Sequence, residues 1–184
     1  TLNLKNLLNP KIKPSKMGEF QELQPIEGLE ISAISADLYG DGRDDLCLFY
    51  FQEGANYAAV YTSSKITSAN INWNLKIKRH FVKALLVNTQ NANAFTGIKG
   101  AQGLKEIAYT LSKALTLKSS QSPKGVNEVV KITDLLFAST GVIGEEFPYL
   151  KIKNRISELV KKLRTEQNKY VWFKAASAIM TTDT

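Results

Sequence analysis

The stretch Leu135-Leu136-Phe137-Ala138-Ser139-Thr140-Gly141-Val142-Ile143-Gly144 limits the possible folds more than any other. Four apolar residues run into a small polar turn, Ser139-Thr140-Gly141. An apolar pair and a second glycine come next, then Glu145, Glu146 and Pro148 ahead of a helical pattern. The apolar run is that of a buried strand, and the residues after Gly144 have the pattern of a helix start. The expectation is a strand ending in a tight loop at a helix N-terminus. Such a loop directs backbone N–H groups into one small volume, and the helix dipole adds positive potential there. A developing oxyanion suits that volume best. An ordinary strand-to-helix connection has the same outline, so the rest of the chain must decide.

Upstream, Leu29 to Ala36 alternates as a strand, and Asp37 to Asp44 forms a turn. Asp45 to Phe51 and Ala55 to Thr62 read as two further strands. Small residues at Ala58 and Ala59 suggest close packing against another layer. Lys83 to Asn88 is a compact apolar strand. A helix over about Gln102 to Leu117 carries the stripe Leu104, Ile107, Ala108, Leu111, Ala114 and Leu115. Further helices are expected over Tyr149 to Arg164 and around Val171 to Ile179. Strands come first and helices then alternate with strands, which predicts an α/β or α+β layered domain.

Several chemistries are excluded or weakened by what is missing. A single cysteine rules out an internal disulfide framework and fits a reducing compartment, with cytoplasm the default. No apolar run reaches the roughly 20 residues a membrane-spanning helix needs. Net charge is +7, but the lysines are dispersed over helix faces that look solvated and do not interleave with aromatics, so no nucleic-acid partner is expected. His80 sits among cations, and no G-x-S-x-G elbow is present for a Ser–His–Asp triad. Cys47 lies in an apolar run and reads as core. The Asp37–Asp44 turn imitates a calcium loop, but Tyr39 occupies a ligand position and no Glu lies at the right distance after it. A charged hairpin is expected there, and no metal site. Thr1 could be a terminal nucleophile, but the polar, proline-broken residues 1–16 argue for an extension instead.

After the strand at 83–88, Asn88, Thr89, Gln90, Asn91, Asn93 and Thr96 place six small hydrogen-bonding side chains within nine residues. Asn and Thr often satisfy turns; such a density also suits a polar pocket for amide or amino-acid groups. Gly97, Gly100 and Gly103 recur at every third position, a weak match to a phosphate cradle.

Three blocks together carry a family resemblance: Ala84-Leu85-Leu86-Val87-Asn88-Thr89-Gln90-Asn91-Ala92-Asn93-Ala94-Phe95-Thr96-Gly97, Ala138-Ser139-Thr140-Gly141-Val142-Ile143-Gly144, and Ala175-Ala176-Ser177-Ala178-Ile179-Met180-Thr181-Thr182-Asp183-Thr184. In that order and spacing the sequence resembles the ornithine acetyltransferases (glutamate N-acetyltransferases) of the cyclic arginine pathway. The resemblance implies a layered αββα-type sandwich. Residues 17–184 would be an α-chain domain, incomplete without its β chain, behind a 1–16 extension. It further implies a precursor that cleaves itself, a β-chain N-terminal threonine as nucleophile, an α2β2 assembly, and acetyl transfer from N-acetylornithine to glutamate. No cofactor is implied, with acetyl-CoA as an alternative donor. Thr140 and Gly141 match the family's oxyanion pair, and Thr181 and Thr182 its substrate-contacting threonines. Asn88, Asn91 and Asn93 fall in its asparagine motif as shapers of the site.

The sequence also departs from the family pattern. Where the family has Asn-Ser-Gly-Asn-Ala-Asn-Ala-Cys-Thr-Gly, this chain has Thr89, Gln90 and Phe95 in place of Ser, Gly and Cys. Gln90 matters most, because Gly permits backbone shapes that Gln does not. The family's Val-Phe-Thr-x-Asn is Val60-Tyr61-Thr62-Ser63-Ser64 here, without its Asn. Two alternatives therefore stand beside the acetyltransferase: a self-processing amidohydrolase of similar fold, and a non-catalytic paralogue that binds an amino-acid derivative.

Overall fold

A computed structural model describes residues 23–121 and 128–181; residues 1–16 and Thr182 lie outside the described residues. The chain forms β1 (Leu29–Ile34), β2 (Leu46–Asn56), α1 (Ala69–Asn74), β3 (Phe81–Asn88), α2 (Gly97–Ser120), β4 (Leu135–Ser139), α3 (Tyr149–Lys161) and α4 (Lys169–Ile179). The four strands lie in one mixed sheet in chain order. β1–β2 and β2–β3 are antiparallel, and β3–β4 is parallel. A parallel neighbour needs a crossover, which α2 supplies.

The alternation along each strand divides the sheet into two apolar faces. On one, Ile34, Leu46, Leu48, Tyr50, Ala84, Leu86, Leu135 and Phe137 pack against the stripe of α2 and against Ile152, Ile156 and Leu159 of α3. On the other, Leu29, Ile31, Ala33, Cys47 and Val87 pack against Ala175 and Ala178 of α4, with Phe49, Phe51 and Leu85 partly buried beside them. Helix, sheet and helix make the layered α/β sandwich that the sequence predicts. β1 does not alternate in burial as expected: all six residues are buried, because the α2–α3 pair and α4 cover opposite faces. Burial pushes the Cys47 thiol up to about 12, which keeps it protonated and unreactive.

The strand expected over Ala55–Thr62 is not formed. β2 instead continues to Asn56 through a register shift between Tyr50 and Ala55, across Gly54, whose φ is +80°. Asn56 ends opposite Phe81, and residues 57–62 find no partner strand among the described residues. Ala58 and Ala59 are exposed rather than packed against a layer, and Val60 is 97% exposed. The 37–44 turn is the charged hairpin expected, and its carboxylates are engaged elsewhere. Asp41 pairs with Arg43 at 2.7 Å, Asp37 with Lys151 at 3.4 Å and Asp44 with Lys174 at 3.3 Å. The Asp45 carboxylate accepts from the Ala36 and Leu38 amides, both at 2.6 Å. Burial pushes that carboxyl upward, opposed by those same amides. On the cationic side of α3, Lys153 meets Glu106 at 2.7 Å, and Arg155 and Lys162 both meet Glu158.

Both outer margins of the sheet are closed. Along β1, Ile31 exchanges two backbone hydrogen bonds with Arg164, at 3.0 and 3.1 Å, and the Gln167 side chain donates to Ile26 and Leu29 carbonyls. Along β4, α1 does this with side chains. Trp73 Nε1 donates to the Leu135 carbonyl at 3.0 Å; Asn74 donates to the Phe137 carbonyl at 2.9 Å and accepts its N–H at 3.1 Å. One amide thus replaces a strand residue on an edge that would otherwise be bare. Asn74→Ala is expected to destabilise the protein by about 1–3 kcal/mol, the cost of orphaning both Phe137 groups. A urea unfolding midpoint unchanged from wild type would contradict this.

Candidate active site

The site is assembled by register. In the parallel β3–β4 pair, Asn88 is opposite Ser139, so the last residues of two strands release their loops side by side. The two loops then remain paired beyond the sheet. The Thr140 amide donates to the Asn88 carbonyl at 3.1 Å, Val142 to Gln90 at 2.7 Å, Ala92 to Val142 at 2.9 Å and Gly144 to Ala94 at 2.9 Å. Loop 140–148 is therefore shaped by the asparagine block and not by a helix behind it. The helix dipole expected behind Ser139-Thr140-Gly141 is not there, since α3 begins only at Tyr149. Nor is the loop the tight one expected. It runs from Thr140 to Pro148 before reaching the helix, because Val142 and Gly144 first pair with the neighbouring loop.

Gly141 is fixed by this close approach. Its φ is +135°, and a Cβ there would lie 2.2 Å from the Gln90 carbonyl carbon and oxygen. The Gly141 N–H meets no hydrogen-bond acceptor among the described residues. The Thr140 hydroxyl lies 3.5 Å from the Thr181 hydroxyl, at the outer limit of a hydrogen bond. The sequence-predicted Thr140, Gly141 and Thr181 thus come together at one place. Two different donors, a hydroxyl and an amide with no acceptor among the described residues, are consecutive in the chain at the end of a strand. Such a pair of donors is the kind that can stabilise an oxygen on which negative charge develops.

Behind the turn lies a buried wall of neutral polar side chains. Ser139 donates to Asn88 Oδ1 at 2.5 Å, and Asn70 donates to Ser139 Oγ at 2.6 Å. Asn93 Nδ2 donates to Asn70 Oδ1 at 3.0 Å, and Thr96 donates to Asn93 Oδ1 at 2.7 Å. Asn91 accepts from the Asn93 amide at 2.8 Å and donates to the Glu145 and Glu146 carbonyls at 3.3 Å. Asn88, Asn91 and Asn93, predicted as shapers, are all in this wall and all buried. Sequence reasoning missed Asn70. The available signal was Ser68, whose hydroxyl accepts from the Ile71 amide and caps the short α1.

Of the three glycines in α2, Gly100 serves the same wall. A Cβ at Gly100 would sit 1.9 Å from Thr96 Oγ1 and 2.4 Å from Asn93 Oδ1; one at Gly103 would meet the Tyr149 ring. Gly100 and Gly103 thus make room for neighbouring side chains, while a Cβ at Gly97 would meet nothing within 4 Å. Gln90 and Phe95, which depart from the family pattern, have φ of +73° and +58°. The chain keeps the left-handed shape at 90 without glycine, at a strain of about 1–2 kcal/mol.

Fold and site together define a class: a layered α/β protein whose paired strand-end loops present a hydroxyl and a backbone amide over an asparagine wall. The ArgJ family model matches residues 30–184. The chain belongs to the ArgJ family. It is 35% identical over 175 residues to the arginine biosynthesis bifunctional protein ArgJ of Bartonella quintana, covering 95% of this chain and 38% of that relative. With the same protein of Caulobacter vibrioides it shares 34% identity over 172 residues, covering 90% and 38%. This chain thus spans about two fifths of the length of those curated relatives. Its fold is similar to the crystal structure of ArgJ from Bacillus halodurans, with TM-score 0.72, 26% identity, and 86% of this chain and 74% of that one covered. It is equally similar to ornithine acetyltransferase complexed with ornithine from Mycobacterium tuberculosis, with TM-score 0.72, 26% identity and coverage of 89% and 83%.

Gly100→Ala would stabilise an ordinary helix by about 1 kcal/mol. Here it is expected to destabilise by about 1–3 kcal/mol, because Thr96 and Asn93 must give way. A rise in the thermal midpoint of that variant would show that the wall does not need the space.

Proposed function

We propose that this chain is the α-chain portion of an acyltransferase that moves an acetyl group from N-acetylornithine to glutamate, a step of arginine biosynthesis. The observation that carries the proposal is the Thr140 hydroxyl next in the chain to the Gly141 amide, which has no acceptor among the described residues, in a chain of the ArgJ family. The nucleophile in this scheme is the N-terminal threonine of a β chain, released by self-cleavage of a common precursor, in an α2β2 assembly. Its hydroxyl adds to the acetyl carbonyl, and the oxygen takes up the negative charge. Thr140 Oγ–H and Gly141 N–H donate to that oxygen. On collapse the proton given up by the threonine hydroxyl passes to the departing nitrogen, so ornithine leaves as the amine and an acetyl ester remains on the threonine. The glutamate amine then attacks the ester, giving N-acetylglutamate and the free hydroxyl.

Thr181 fits this scheme as a neighbour on the substrate side. If Thr181 donates across the 3.5 Å gap, the single Thr140 proton is left for the acyl oxygen. Thr182, beyond the described residues, stays in the proposal as a second substrate contact. The Gln90 departure favours the catalytic reading over a non-catalytic paralogue, since the backbone at 90 still has the left-handed shape a glycine would give. The half-buried Phe49, Phe51, Leu85 and Leu136 on the α4 face offer apolar area to a β chain. The scheme uses no cofactor; acetyl-CoA enters only as a second acetyl donor.

The test is to incubate the full-length protein with N-acetylornithine and glutamate. N-acetylglutamate is the expected product; acetate alone would assign an amidohydrolase, and no product a binding protein. Replacing N-acetylornithine by acetyl-CoA tests the second donor. Thr140→Ala is expected to lower kcat by about 100- to 1,000-fold, the usual loss for one oxyanion donor. A folded variant turning over at the wild-type rate would remove Thr140 from the scheme. Thr140 is the cleaner position to vary, because any side chain at 141 collides with the Gln90 backbone.

A further inference from the structure

Resting on that reading of the turn, we infer that Asn70 is a positioning residue for the Thr140–Gly141 donors. It is 4% exposed, lies on α1 outside both loops of the site, and joins Asn93 of the wall to Ser139, the residue immediately before Thr140.

The direction of every bond in the wall is forced. Asn88 Nδ2 faces two carbonyls, those of Thr89 at 3.2 Å and Asn91 at 3.0 Å. A carbonyl only accepts, so Asn88 must present its Oδ1 to Ser139. The one Ser139 proton is consumed there, at 2.5 Å. Ser139 Oγ can then only accept a further bond from Asn70, which must present its NH2 group, at 2.6 Å. Asn70 Oδ1 is left for Asn93 Nδ2, which also faces the Gly100 carbonyl. The polarity runs one way, from Thr96 through Asn93, Asn70, Ser139 and Asn88 to the Asn91 carbonyl. Five side chains from α1, β3, β4 and the loop before α2 are held in one orientation.

Asn70 acts on the donors at one remove. Ser139 is the last residue of β4, and its side chain decides how the strand end sits over Asn88. The Thr140 amide bonds the Asn88 carbonyl, so the same pair fixes where the Thr140 hydroxyl and the Gly141 N–H point. Donors worth about 100-fold or more when aligned lose most of that when misplaced by about 1 Å. Without the Asn70 amide, the half-buried Ser139 Oγ loses its donor and the buried Asn93 loses an acceptor.

The test uses the full-length protein, with Asn70→Ala and Asn70→Asp compared with wild type. The second is nearly isosteric, keeps an acceptor for Asn93, and sets an acceptor against the Ser139 lone pairs. Both are expected to lower kcat about 10- to 100-fold with KM changed less than about twofold. Amide hydrogen exchange at Thr140 is expected to quicken about tenfold or more. In a Thr140→Ala background, Asn70→Ala should cost less than about threefold more, because the donor it aligns is already gone. Equal losses in both backgrounds would show that Asn70 only supports the fold, and exchange at 140 unchanged from wild type would overturn the inference. If Asn70→Ala does not assemble, Ser139→Ala removes the other end of the same bond, and the same exchange criterion applies. If the wild-type protein transfers no acetyl group, the functional reading fails, while the exchange at Thr140 still decides the role of Asn70.

Discussion

The parallel pairing of β3 with β4 is the constraint on which the rest of the structure depends. It places Asn88 directly opposite Ser139, so two loops distant in sequence leave the sheet as neighbours. Their continued pairing, residue against residue to Gly144, builds a small polar platform without a helix end behind it. A slip of either strand by one residue would turn Asn88 or Ser139 to the α4 face and put Val87 or Ala138 in the polar wall. The apolar partition prevents that slip. Leu86 and Phe137 are needed on the α2–α3 side, and Leu85 and Ala138 on the other. Core packing and site geometry are therefore one specification, with the hydrophobic faces setting the register that brings the polar groups together.

Much of this is legible in the sequence. The apolar runs at 84–87 and 135–138 identify the two central strands, and the polar blocks after each of them identify the site. The α2 stripe lies within a few residues of its observed ends. What is not legible has physical reasons. The Ala55–Thr62 strand fails because a strand exists by virtue of a neighbour, and a propensity count contains no neighbour. The helix dipole behind the turn fails because loop 140–148 pairs with residues 90–94, a contact of long sequence separation. α1 escapes notice because six polar-rich residues have too little periodicity to stand out from a loop. Its value lies in where three of its side chains go: Asn70 to the wall, Trp73 and Asn74 to the edge of β4.

The departures from the family's asparagine motif take on a physical meaning in the structure. At position 90 the chain needs a positive φ, and Gln supplies it with strain where Gly would supply it freely. The hydrogen bonds of the flanking loops, Val142 to Gln90 and Thr140 to Asn88, hold that shape against the local preference. At position 95 the Phe ring points into solvent at φ +58°, so the exchange alters the surface near the site and leaves the wall intact. Substitution has gone furthest where the loop touches solvent, and the buried Asn88, Asn91 and Asn93 are retained.

The wall itself is made of amides and hydroxyls, and none of its members can gain or lose a proton near neutrality. Its alignment is consequently indifferent to acidity across the range in which living cells operate. Any bell-shaped rate profile must originate in ionisable groups beyond the wall. A kinetic titration of the intact protein would therefore report on those groups alone, against a background that stays still.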